Sequence, residues 1–447
     1  MKVGVVAFGL LLMMPAWAGA QSTDAATQEL IQQLLTRIDG LEKRVAELER
    51  EKAAVSSAAP APSVETPAPA PQQTKPVAAQ PPPNIHAHDQ LPVPQPPQAE
   101  PPQPVYPALR ILGFGDVDFS SSNLHGVASG FGGQTLLTPH SGFELGQTTL
   151  QLISALAPKV AFFGEITFTA RADAGTGSPS AAGFNTEVER VILRYDFNDY
   201  IKLSFGRYHT PINYWNTAFH HGQWLQTTIS RPEMVQFGGS FIPVHFIGAL
   251  AEGALPAGGL NLNYDVGVGN GRGQVISRGG DAGDINNNRA WLVNAFIKPD
   301  QAYGLQVGGS VYRDEVDPLG GPVAREWIES AHIVWTRETP ELIAEFANAT
   351  HQPIFAGRTA NSQAWYVQTA YRLPWFGRLW KPYYRLEQIH VPNSDVIFHL
   401  VPTFTASTSG VRWDFSSLAA FKLEYRYYWL RSGPPIRGLF SQVAFTF

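Results

Sequence analysis

The stretch HTPINYWNTAFHHGQW, residues 209–224, gathers His209, His220 and His221 with Tyr214, Trp215, Phe219 and Trp224. Imidazole nitrogens can ligate a metal, and aromatic faces can stack on sugars or organic solutes or simply pack a loop against a wall. Side chains of adjacent residues on extended backbone point apart, so His220 and His221 do not share an ion, and neither a metal site nor a cofactor is expected. A second candidate set lies downstream, where Arg372, Arg385, Arg412, Lys422 and Arg426 stand against Glu387, Asp414 and Glu424. On one wet surface this basic excess would draw anions weakly. The same residues could equally form a ladder of internal ion pairs that stiffens a wall.

Other polar clusters promise less. Asp281, Asp284, Asn286, Asn287 and Asn288 lack the spacing and glutamate of an EF-hand and read as a polar loop. GVGNGRG at 267–273 imitates a phosphate-binding loop but opens no helix. His86, His88 and Asp89 sit among prolines, without the frame that holds metal ligands in geometry. No spacing fixes serine, histidine and acid into a triad, so no catalytic residue is expected, and a hydrolase remains a distant alternative.

What positions these groups is legible in FKLEYRYYWLR, residues 421–431. Phe421, Leu423, Tyr425, Tyr427 and Trp429 alternate with Lys422, Glu424 and Arg426, which is the period of a strand whose two faces meet different surroundings. Arg194 and Asp196 alternate with Leu193, Tyr195 and Phe197, and Arg412 and Asp414 with Val411, Trp413 and Phe415, in the same way. From Ala108 to Phe447 the pattern predicts sixteen strands and no amphipathic helix. The first is placed near 108–119, the sixth near 234–250 and the last near 438–447. Long polar connections are expected after odd-numbered strands and short turns after even-numbered ones, as in a membrane barrel. Sixteen strands make a barrel too wide for side chains to fill, so the apolar face must look outward to lipid and the charged face inward to a water-filled lumen. Aromatic residues at the strand ends, among them Tyr195, Phe197, Trp375, Trp413, Tyr208, Tyr366, Tyr383 and Trp429, would form the interfacial girdles.

The remaining segments set the context. The chain has 447 residues, no cysteine and a net charge of −5, which excludes thiolate chemistry and gives no electrostatic footprint for nucleic acid. Residues 1–20, with Lys2, the run VGVVAFGLLLMM and a small-residue site ending in Ala20, read as a secretory signal. Within 21–56, Ile31, Leu34, Ile38, Leu41, Val45 and Leu48 form a heptad seam. β-branched residues at a with leucine at d favour a dimer by the core rule, whereas the repeats RIDGLE and RVAELE resemble the pattern of trimeric coiled coils. Residues 57–107 are proline-rich, a periplasmic polyproline tether whose reach is roughly 150 Å at about 3.1 Å per residue.

The final strand LFSQVAFTF, with Val443, Phe445 and Phe447 on one face, resembles the C-terminal assembly signal of outer-membrane barrels. With the heptads and sixteen strands, the chain is similar to trimeric bacterial porins, especially phosphate-selective and dicarboxylate porins that carry an N-terminal coiled coil. The resemblance implies passive diffusion of small hydrophilic solutes through a homotrimer in the outer membrane. It also implies a constriction loop formed by the third long connection, here 209–233. That loop carries no carboxylate before Glu233, unlike the acidic loops of cation-preferring porins. An alternative keeps the barrel as an anchor, with the N-terminal segment gripping peptidoglycan or another envelope component.

Overall fold

The computed structural model describes residues 106–123, 142–170, 184–219, 221–236 and 241–447. The expected signal, coiled coil and all but the end of the proline-rich segment lie outside the described residues, as does His220. The strands are β1 Ala108–Ser122, β2 Gly142–Ala157, β3 Val160–Ala170, β4 Phe184–Asn198, β5 Ile201–His209, β6 His245–Leu255, β7 Leu262–Asn270 and β8 Ala290–Ile297. They continue as β9 Leu305–Val316, β10 Ala324–Trp335, β11 Glu341–Pro353, β12 Ala360–Ala370, β13 Trp380–His390, β14 Phe404–Trp413, β15 Ala419–Leu430 and β16 Ile436–Thr446. Each pairs antiparallel with its sequence neighbours, and β1 closes on β16 in a register running from Phe114↔Thr446 to Ser122↔Gly438. The described residues form a closed sixteen-stranded barrel.

Alternation is resolved in the direction that barrel width dictates. On β15, Leu423, Tyr425 and Trp429 are 37%, 43% and 49% exposed on the outside, whereas Lys422 and Glu424 are 0% exposed on the inside. Leu109, Leu193, Phe205, Val293, Phe346 and Leu439 continue this exposed apolar surface around other strands. In water such a surface would be unfavourable; against acyl chains it is what a barrel requires. Tyr195, Phe197, Trp375, Trp413, Phe415 and Trp429 lie on the exposed side, as a girdle needs. Tyr208, Tyr366 and Tyr383 do not: each points inward and is buried. Tyr208 donates to the Ser204 carbonyl at 2.9 Å and Tyr383 to the buried Glu424 carboxylate at 2.9 Å.

Two further expectations need correction. The long-after-odd rule holds for connections 123–141, 171–183, 210–244 and 271–289, but 317–323, 354–359 and 431–435 are as short as the turns at the other end. The sixth strand begins at His245, not near 234. Residues 233–235 form a short 3-10 turn, and the apolar run Phe241–Val244 is buried without joining the sheet. The connection 210–244 turns into the barrel, where its own apolar residues find cover.

Glycine permits a close approach at the root of that connection. Gly206, Gly248 and Gly269 stand opposite one another across β5, β6 and β7. A Cβ on Gly248 would lie 2.2 Å from the Val268 carbonyl oxygen, and one on Gly269 2.1 Å from that of Ile247. The three strands approach there in a way that side chains would prevent.

Candidate functional site

The described residues between His209 and His245 are held inside the barrel by an apolar core and by the charges of the wall. The core contains Ile212, Trp215, Ile229, Val235, Phe241 and Ile242, packed against inward Tyr312, Ile328, Tyr366, Phe404 and Tyr428. Inward alanines make room: Ala347 faces Ala364 across β11 and β12, and Ala406 on β14 is equally buried. The helical turn α1, Trp215–Ala218, sets Trp215 edge-on to Tyr366 at 6.0 Å and to Phe219 at 4.9 Å. Trp215 and Phe219 therefore pack the segment. Tyr214, by contrast, borders the remaining open space, and Trp224 lies beside the Arg412 guanidinium at 5.8 Å.

Backbone polar groups buried this way must be paired, and the wall supplies the partners. Glu345 accepts from the Tyr214 and Trp215 amides at 2.8 and 2.7 Å. Glu424 accepts from Ile229 N at 2.9 Å, and Glu387 from Glu233 N at 2.8 Å. Arg385 donates to the carbonyls of Ser230 and Arg231 at 2.8 and 3.0 Å, and Arg412 to those of Trp224 and Gln226 at 2.6 and 2.9 Å. Lys422 donates to the carbonyls of Gln223 and Thr228.

This arrangement corrects the expectation of a charged wall bathed by water. Arg385, Glu387, Lys422, Glu424 and Arg426 are on the inner face, but buried under the inserted segment. They are also paired along their own strands: Arg385 with Glu387 at 3.2 Å, Arg412 with Asp414 at 2.7 Å, and Arg426 with Glu424 at 2.5 Å. Near the short turns, Arg372 bridges Glu338 at 2.8 Å and also Asp414, while Lys381 reaches Glu338 at 3.2 Å and Glu341 at 2.7 Å. Burial alone would raise the Glu338 carboxyl, but the hydrogen bond from Arg372 and the Lys381 and Arg372 charges bring it down to about 2. These bases are thus engaged by carboxylates of the wall and by carbonyls of the inserted segment.

The open space lies on the opposite side, along the inner face of β2 to β9. It is a cavity of about 260 Å³. Its charged lining comprises Arg190, Arg194, Lys202 and Lys298 with Glu252 and Asp265, and His209 and His221 border it. Arg190 is bound to buried Glu165 at 2.7 Å and stacks over Phe163 at 4.3 Å. Arg194 pairs with Asp196 at 2.7 Å and reaches Glu252 at 3.6 Å. Of the basic residues singled out from sequence, only Arg194 borders this space. The others were missed because alternation assigns a face but does not say which arc of wall the long connection will cover.

Ser362, His351 and Asp395 meet, but Ser362 donates to Asp395 at 2.5 Å, and His351 lies between Asp395 at 2.9 Å and Glu326 at 3.0 Å. Ser362 is hydrogen-bonded to the carboxylate rather than to the imidazole. The group instead ties the 391–403 connection to the wall. Burial would raise the Asp395 carboxyl, but the hydrogen bond and charge of His351, with donation from Ser362 and the Phe398 amide, hold it below the usual range. Asp281 and Asp284 are likewise committed, to Arg207 at 2.8 Å and Arg289 at 2.9 Å.

No family model and no curated protein matches the chain. Solved structures do. An anion-selective porin from Comamonas acidovorans superimposes with a TM-score of 0.53 at 8% identity, over 76% of this chain and all of that one. Salmonella typhi OmpF, in a complex with daunomycin, gives 0.51 at 12% identity over 76% of this chain and 97% of its own. The Acinetobacter baumannii outer-membrane channel DcaP is also similar, at 0.47 and 11% identity, over 76% and 97%. At these identities the likeness is one of architecture: the chain has the closed sixteen-stranded fold of the bacterial outer-membrane porins.

Proposed function

We propose that the protein is an outer-membrane channel for passive diffusion of small hydrophilic solutes, with the 210–244 segment as its constriction. The observation that carries this is the pairing of an exposed apolar exterior with an inner cavity lined by charged and polar groups. Ionised groups that border an open interior space, rather than being covered by protein as on the other side of the barrel, suit a passage for water and solutes. The bordering charges, four basic and two acidic, favour weak anion preference. The Comamonas protein shares the fold alone, so this preference rests on the charges rather than on the likeness.

The N-terminal segment, in this reading, lies in the periplasm. RIDGLE and RVAELE bring three chains together, and the proline-rich stretch spaces the coiled coil from the membrane. A second reading, the barrel as an anchor for an arm bound to peptidoglycan, draws on the same tether and on how much of the lumen the segment occupies.

Planar-bilayer recording separates the two. A channel gives discrete conductance steps, and in asymmetric potassium chloride its reversal potential shifts toward that of chloride. Absence of steps would favour the anchor, and a shift toward potassium would overturn the anion preference. Deleting 21–56 should abolish the trimer on native gels if the heptads set assembly.

A further inference from the structure

The inserted segment leaves and re-enters the sheet at two histidines. His209 ends β5 and His245 begins β6, and they stand opposite each other in the ladder. Their rings are 5.6 Å apart, and the His221 ring, from within the segment, is 5.7 Å from that of His209. The fourth member is Glu189 on β4. The β3–β4 register passes from Glu165↔Arg190 to Ile166↔Val188, so Glu189 is the extra residue of a bulge. Bulges re-aim side chains, often beside functional sites, and here Glu189 and Arg190 both turn inward. His221 Nε2 and His245 Nε2 lie 3.2 and 2.7 Å from the Glu189 carboxylate. One ligand atom from each of the four residues falls within 4.8 Å of every other.

We propose that Glu189, His209, His221 and His245 bind a divalent transition-metal cation of the zinc class, which staples the inserted segment to the wall at its root. Three imidazoles and one carboxylate suit a closed tetrahedral site with bonds of about 2.0–2.2 Å. Ligand atoms in such a site stand roughly 3.3 Å apart, so contraction by at most about 1.5 Å closes this one. Orienting partners surround the set. His221 Nδ1 lies 3.3 Å from Gln147 Oε1, leaving Nε2 toward the centre, and His209 Nε2 lies 3.5 Å from Glu165. Such contacts fix ring orientation in metal sites. Arg207 is also 3.5 Å from Glu189, but it is held at 2.8 Å by Asp281 and at 2.6 Å by the Val188 carbonyl, so it need not hold the carboxylate. His209 and His221 border the cavity, which gives an ion a way in from the lumen. The partners of His221 in the set come from β4, β5 and β6.

The test is zinc binding to chelator-treated, tag-free, full-length protein in detergent, with elemental analysis after dialysis. One ion per chain is expected. His221→Ala should weaken binding about 100-fold or more, while His399→Ala, on an exposed loop, should leave it unchanged. Glu189→Gln keeps the side-chain size and tests the site if His221→Ala does not fold; it should weaken binding in the same way. Cobalt(II) in the native protein should give the intense visible absorption of tetrahedral coordination and lose it in His245→Ala. No ion retained, affinity unaffected by His221→Ala and Glu189→Gln, or weak octahedral cobalt absorption would each overturn the site.

Discussion

Glu345 shows how the wall disposes of its charge. It is buried, and its carboxylate closes two amides of the inserted segment. In Glu345→Ala both donors lose their partner in a buried site, at about 1–3 kcal/mol each. The expected outcome is a barrel that still folds but whose 210–244 segment is cut faster by protease and whose channel current is noisier; Glu345→Gln, retaining an acceptor, should lie between. Unchanged protease resistance in Glu345→Ala would show that the amides are satisfied elsewhere. The residues that border the cavity answer to a different measurement. Lys202→Glu with Lys298→Glu reverses two of the four bordering bases and should move the reversal potential toward potassium without lowering thermal stability. Neither lysine was marked by the sequence, because each is one inward charge among many until the covered arc of wall is known.

Individual strands were the most legible elements. Fifteen of the sixteen lie close to where period-2 alternation placed them, since a strand with lipid on one side and polar surroundings on the other cannot hide its pattern. The exception, β6, failed for a physical reason. The residues before it form a second apolar stretch that is buried by insertion, and insertion and lipid exposure leave the same mark on composition. What holds the whole inserted connection inside is remote in sequence: Ala347, Ala364 and Ala406 provide space, and Glu345, Glu387 and Glu424 accept from amides between Tyr214 and Glu233. The metal cluster was illegible on similar grounds, because it depends on the His209↔His245 register and on a bulge at Glu189. The glycine row predicts that Gly248→Val, placing side-chain atoms against the Val268 carbonyl, sharply lowers folded yield, with Gly248→Ala milder. Heat-modifiable gel mobility reads this directly. At the turn 336–340, Glu338 sits near 2 when folded against an ordinary 4.5. Its contribution is thus present above about pH 4.5 and disappears as pH falls from there toward 2. Since that side chain is 47% exposed, the effect should be local. Amide exchange in 336–340 and 371–379 should rise over this interval, and Glu338→Gln should remove the rise.

At the scale of the molecule, a single closed sheet separates two environments, and its interior is divided again by one connection that occupies the β9 to β15 side and leaves the β2 to β9 side open. Closure itself depends on the last residues of the chain: β16 pairs with β1, and Phe447 exchanges backbone hydrogen bonds with Gly113 at 2.9 and 3.0 Å. Strand one is synthesised first and its partner last. Until residues 436–446 emerge, the nascent sheet has two bare borders whose amides and carbonyls can recruit any passing strand. A molecule sealed this way cannot be closed piecemeal from its first strand, and both borders stay open until β16 arrives.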